Sequence, residues 1–210
     1  MERKTPPFRN QSQLPNIAYI YKAEKNKLII PMSKSSVKKL LKSFTKEQII
    51  DVVMELYDAR KEAKEFLEFF AQPNEESKVE EYKRIIEAEF FPLRGDAKLR
   101  FSVCKKAISD FKKLKPSPTA LADLMVYYME NACEFTGTFG DMWEQYYESV
   151  EGNFKRTLDF LVDNDLLAQF QPRIKKCLEW TDKCGWGFPD VLYQFYYEAI
   201  ADSGLEDTDE

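Results

Sequence analysis

The chain has 210 residues, 44% of them hydrophobic and 32% charged, with a formal charge of −5 and a mean hydropathy of −0.51. That length supports one sizeable core with short appendages, and that composition excludes a wholly disordered chain. The chain contains no histidine, so the commonest neutral-pH acid–base group and metal ligand is missing and any catalysis rests on carboxylates, lysines or cysteines.

The charge is unevenly spread. Residues 1–46 carry a net +9, and everything after Lys46 carries −14. The basic arm suits an acidic partner, nucleic acid included, whereas the acidic body repels a phosphate backbone. Pro6, Pro7 and polar neighbours interrupt the start, so no secretory leader is expected there. The longest amphipathic segments have charged faces, which argues against membrane association and for cytoplasmic residence. Cys104, Cys133, Cys177 and Cys184 form no close pair and are expected to be reduced, mostly core thiols.

Residues 1–31 differ from the rest. Ile17–Tyr21 and residues 28–30 read as short strands around a polar turn or as disorder, and Met32 is a candidate alternative start. From Ser33 to Phe44, Val37, Leu40, Leu41 and Phe44 share one helical face. Thr45 and Gln48 have capping-box spacing. The helix they open is expected to bury Ile49, Val53, Leu56, Ala63, Phe66, Leu67 and Phe70.

Pro73 and Asn74 break the pattern before a helix with Val79, Tyr82, Ile86 and Phe90 on one side. Pro92 to Asp96 connects to another carrying Leu99, Val103, Ala107, Ile108, Phe111 and Leu114. Its terminal lysines, Lys112, Lys113 and Lys115, complement the carbonyl end. After Pro116, Ser117 and Pro118 open a helix burying Leu121, Leu124, Met125, Tyr128, Ala132 and Phe135. Thr136-Gly137-Thr138 is expected to interrupt it, with Asp141 or Thr138 capping the next helix.

The clearest amphipathic run spans Phe139 to Leu161, with Met142, Trp143, Tyr146, Val150, Phe154 and Leu158 inward. Asn164 and Asp165 end it, and Pro172 is expected to start the following helix, whose apolar side includes Ile174, Cys177 and Leu178. Gly185-Trp186-Gly187-Phe188 reads as a hinge or packing clamp before a last helix carrying Leu192, Phe195, Tyr196 and Ala199. The fold class is therefore all-α, a compact helical bundle or irregular helical array of about seven main helices. The organisation is a basic extension over residues 1–31, a helical domain over 32–201 and an acidic tail over 202–210.

Two carboxylate pairs, Glu130 with Glu134 and Glu144 with Glu148, lie four residues apart and so share helix faces. Mutual repulsion raises one proton affinity in such a pair and suits acid–base work if a pocket encloses it; in water the same spacing is an ordinary polar face. Phosphate-loop and dinucleotide glycine motifs are absent, and no cofactor or metal is indicated. Arg173, Trp186, Phe188 and Tyr196 are the candidate members of an interaction edge, since aromatic and guanidinium groups dominate protein–protein contacts.

From Ser33 to Tyr197 the chain resembles the uncharacterised bacterial family known as domain of unknown function 6155. The resemblance rests on the ordered run of Ser33–Leu41, Thr45–Gln48, Glu89–Pro92, Ala97–Arg100, Lys105–Phe111, Leu121–Met125, Phe139–Asp141 and Gly185–Phe188. It implies a helical bacterial domain and supplies no reaction, cofactor or partner. A cytoplasmic protein-interaction or structural module is the leading expectation. A carboxylate-based hydrolase or other small-molecule enzyme, and nucleic-acid binding through the basic arm, are the alternatives.

Overall fold

Side-chain caps set several of the helix starts. In a computed structural model, which describes residues 32–205, Ser33 accepts the Ser36 N–H at 3.2 Å and opens α1 (Lys34–Leu41). Thr45 and Gln48 form the expected reciprocal box at the head of α2 (Lys46–Ala59): the Gln48 N–H donates to Thr45 Oγ1 and the Thr45 N–H to Gln48 Oε1. Asn74 caps α4 (Glu75–Phe90), and Ser117, followed by Pro118, caps α6 (Pro118–Phe139). The remaining elements are α3 (Lys61–Ala71), α5 (Phe101–Lys113), α7 (Glu144–Asp163), α8 (Leu167–Thr181) and α9 (Phe188–Ser203). Among the described residues the fold is all-α, as the sequence pattern requires. The expected strands and the basic arm of residues 1–31, and the tail beyond Leu205, lie outside them.

Two compact units divide the chain, one ending at Glu55 and the other starting at Leu56. Neither α1 nor α2, most of which lies in the first unit, contains a buried residue: of the side chains expected on a dry face, Val37, Leu40, Ile49 and Val53 are exposed and Leu41 and Phe44 only half-buried.

In the second unit α6 is the central element, packing against α4, α5, α7 and α8. Leu121, Ala122, Leu124, Val126, Tyr128, Met129, Ala132, Cys133 and Phe135 are buried around nearly its whole circumference. A one-sided stripe would make a surface helix; burial all round makes an axis for the others. Each Leu or Phe fully buried there stabilises the fold by about 2 kcal/mol. Tyr82, Ile86 and Phe90 of α4, Phe111 of α5, and Phe154, Leu158 and Leu161 of α7 complete the core with Ile174 of α8 and Leu192 of α9.

Several expected boundaries move. The stretch expected to run unbroken to Phe70 is two helices, because Arg60 is extended (φ −138°, ψ 118°). The Tyr57 hydroxyl donates to Glu68 at 2.7 Å; eleven residues of straight helix rise about 16 Å, so this bond requires the break. Phe70 is exposed rather than buried, while Phe66 and Phe69 meet the core. Gly137 continues α6 instead of interrupting it, and a Cβ there would collide with the Trp180 carbonyl oxygen. Glycine at this position lets α6 and α8 approach closely.

Pro172 lies inside α8 rather than at its start. Burial of Leu167 and Phe170 recruits the preceding turn, and the carbonyl of Ala168, left without a helical donor by the proline, is on an exposed residue. Phe139 ends α6, and residues 140–143 separate it from α7, which has Trp143 in the N-cap position without a side-chain cap. The long apolar run is thus divided, although Tyr146, Val150, Phe154, Leu158 and Leu161 are buried as expected.

Candidate functional site

The C-terminal ends of α4, α6 and α8 and the starts of α5, α7 and α9 gather at one end of the second unit. Phe91 lies 6.5 Å from Phe139, Phe101 lies 5.1 Å from Tyr146, and Tyr147 stacks on Phe188 at 4.3 Å between ring centres. This end carries four large apolar side chains in water: Phe139 at the close of α6, and Leu93, Trp143 and Trp186 in the connections. Trp186 is 86% exposed. Several large apolar side chains exposed at one end mark a contact surface more often than an isolated exposed leucine does.

The turn holding Trp186 is constrained. Trp186 has a left-handed backbone (φ 64°), followed by Gly187 in the same region (φ 70°). For a non-glycine residue that conformation costs about 1–2 kcal/mol. The Asp141 carboxylate holds the turn by accepting the Gly185 N–H at 2.7 Å, and a Cβ at Gly185 would stand 2.9 Å from that carboxylate. The Tyr147 hydroxyl donates to Asp141 at 3.1 Å and accepts the Met142 N–H at 3.0 Å. Asp141 therefore ties two connections together instead of capping α7. Burial raises the Tyr147 hydroxyl above its ordinary value, against the opposing bond to Thr136.

The neighbouring connection, residues 91–100, is organised by Glu89. Its carbonyl accepts the N–H groups of Lys98 and Leu99, each at 3.0 Å. Its carboxylate accepts Arg100 N–H at 3.1 Å, Nε at 3.0 Å and the terminal guanidinium nitrogen at 2.6 Å. The Arg100 hydrogen bonds hold the Glu89 carboxyl below its usual range, against the opposing effect of burial.

The candidate edge residues do not share one surface. Only Trp186 is exposed. Phe188 and Tyr196 are buried, at 1% each, with Phe188 under Tyr147 and the Tyr196 hydroxyl accepting from Gln171 Nε2 at 2.9 Å. Arg173 is committed elsewhere, bidentate to Glu130 at 2.7 and 2.6 Å and bonded to Asp123 at 2.5 Å. Lys83 reaches the other oxygen of Asp123 at 2.9 Å, so this charge cluster joins α4, α6 and α8. Burial opposes the Arg173 charge, but its bonds to Glu130 and Asp123 outweigh that and raise its pKa.

The carboxylate pairs separate likewise. Glu130 faces Arg173, Glu134 is half-buried, and Glu144 and Glu148 are exposed. Burial, then Glu148, pushes the Glu151 carboxyl upward. Among the described residues no group of three or more acidic or cysteine side chains is placed to hold a metal ion. All four thiols are free; Cys104, Cys133 and Cys177 are buried, and burial pushes Cys104 up to about 12. Thiolate chemistry is suppressed there.

The apolar pattern places Phe139 and Trp143 on a buried face, where both are in fact exposed, expects Asp141 only as a helix cap, and gives Leu93, Glu89 and Asp123 no role of their own. The position of Leu93 between Pro92 and Gly95 was the available signal for an exposed connection residue.

The model of a family described as a family of unknown function (DUF6155) matches residues 32–198, and the chain belongs to that family. No curated protein and no solved structure matches the chain. Among the described residues no helix is long and apolar enough to cross a membrane.

Proposed function

We propose that this member of the family is a helical protein-interaction module that docks a partner on the end of the second unit carrying Trp186. The observation that supports this reading is the combination at that residue: an indole 86% in water on a left-handed backbone held by the Asp141–Gly185 bond. Packing does not repay the strain at this side chain, because the ring is largely outside the core. A rigid tryptophan with exposed Leu93, Phe139 and Trp143 at the same end has the composition of an interaction hot spot, where few large side chains carry most of the binding energy.

Cytoplasmic residence forms part of this reading, supported by four free thiols that suit a reducing compartment. Hydroxyl-radical footprinting of the full chain, alone and with its captured partner, tests the assignment. Docking here protects Trp186 and Trp143 in the complex. A complex in which both remain as reactive as in the free protein removes this surface.

A further inference from the structure

We propose that residues 34–55 form a second, independent interface, and that its partner is another copy of the same chain. Val37, Leu40, Ile49, Ile50, Val53 and Met54 are between 37% and 49% exposed, and neither helix of the pair contains a buried residue. Helices of 8 and 14 residues are marginal by themselves and depend on covering an apolar face. Val37, Leu41 and Ile49, with the stems of Lys34, Lys38 and Lys42, line a shallow groove between α1 and the start of α2.

The charges select the occupant. From Ser33 to Phe44 the chain has Lys34, Lys38, Lys39 and Lys42 and no acid, whereas from Lys46 to Glu55 it has Glu47, Asp51 and Glu55 against Lys46 alone. All seven of those lysines and acids before and after Lys46 are exposed, and among the described residues none is in an ion pair. A second copy related by a two-fold axis lays its basic α1 against the acidic face of α2 and receives the same contact in return. Such an isologous pairing satisfies both charge sets at once and closes a four-helix arrangement over the apolar faces. An anionic membrane fits less well, because the carboxylates of α2, on the same pair of helices as the lysines, oppose its approach.

Analytical ultracentrifugation of the full chain, with charge-reversal variants, tests the pairing. The native chain sediments as a dimer at micromolar concentration. Lys38→Glu with Lys42→Glu, or Glu47→Lys with Asp51→Lys, each raises the dimer dissociation constant at least about tenfold, because surface attractions become repulsions on both sides of the axis. An equimolar mixture of the two variants restores the dimer, since reversed α1 then meets reversed α2. Circular dichroism confirms that the exposed substitutions leave the helices intact. A monomeric native chain, including one that binds vesicles of anionic phospholipid instead, overturns the proposal. A dimer indifferent to the reversals, or a mixture that fails to restore it, also overturns it.

Discussion

The Asp141 carboxylate receives the Gly185 N–H at 2.7 Å across 44 residues of chain, joining the connection before α7 to the strained turn that exposes Trp186. Replacing Asp141 by alanine removes the acceptor for Gly185 and the partner of the Tyr147 hydroxyl. The expected cost is about 1–2 kcal/mol of stability, read from the urea midpoint. Amide exchange at Gly185 accelerates while the centre of α6 stays protected. Unchanged exchange at Gly185 contradicts the clamp.

Two glycines on neighbouring helices respond in opposite directions to the same substitution. Gly137→Ala drives a methyl group into the Trp180 carbonyl and destabilises by about 1–3 kcal/mol. Gly152→Ala in α7 places its methyl 3.7 Å from the Arg156 guanidinium and stabilises by about 0.5–1 kcal/mol through a less flexible unfolded chain. Thermal unfolding of both variants checks the signs.

The Glu89–Arg100 pair makes stability pH-dependent. Because the folded carboxyl is held below its ordinary value of 4.5, its contribution is complete above that value and disappears as pH falls through the lower folded one. Glu89→Gln is expected to cost about 2 kcal/mol at pH 7. Urea titrations from pH 7 to about 3 should show the native and variant curves converging. A constant gap across that range contradicts the linkage.

Arg173 is a structural cation by this geometry. Arg173→Ala leaves Glu130 and Asp123, two turns apart on α6, without their shared guanidinium and costs about 2–4 kcal/mol. Glu144→Gln and Glu148→Gln, both in water, shift stability by less than about 0.5 kcal/mol. Chemical denaturation of the three variants measures this contrast.

Periodicity and capping were legible where one segment determines its own conformation. Thr45 with Gln48, Asn74, and Ser117 with Pro118 mark helix starts that the structure contains. What was not legible depends on residues far apart in the chain. Gly137 looks like a helix breaker until Trp180 is opposite it. Phe139 and Trp143 fit an apolar stripe, but residues 140–143 are not helical and the stripe is cut before α7. Spacing placed Glu130 on a helix face; it could not show that Arg173, 43 residues away, neutralises it. Trp186 was identifiable from its flanking glycines, whereas the burial of Phe188 and Tyr196 on α9 follows from Tyr147 and Gln171 on other helices.

The most direct test of docking at this end is the dissociation constant of the native partner complex for the unaltered chain and for Trp186→Ala. Loss of a central aromatic anchor weakens binding by about 2 kcal/mol or more, roughly thirtyfold, while helicity and unfolding temperature stay unchanged. Equal dissociation constants for the native chain, Trp186→Ala and Trp143→Ala, with all three folded, contradict it.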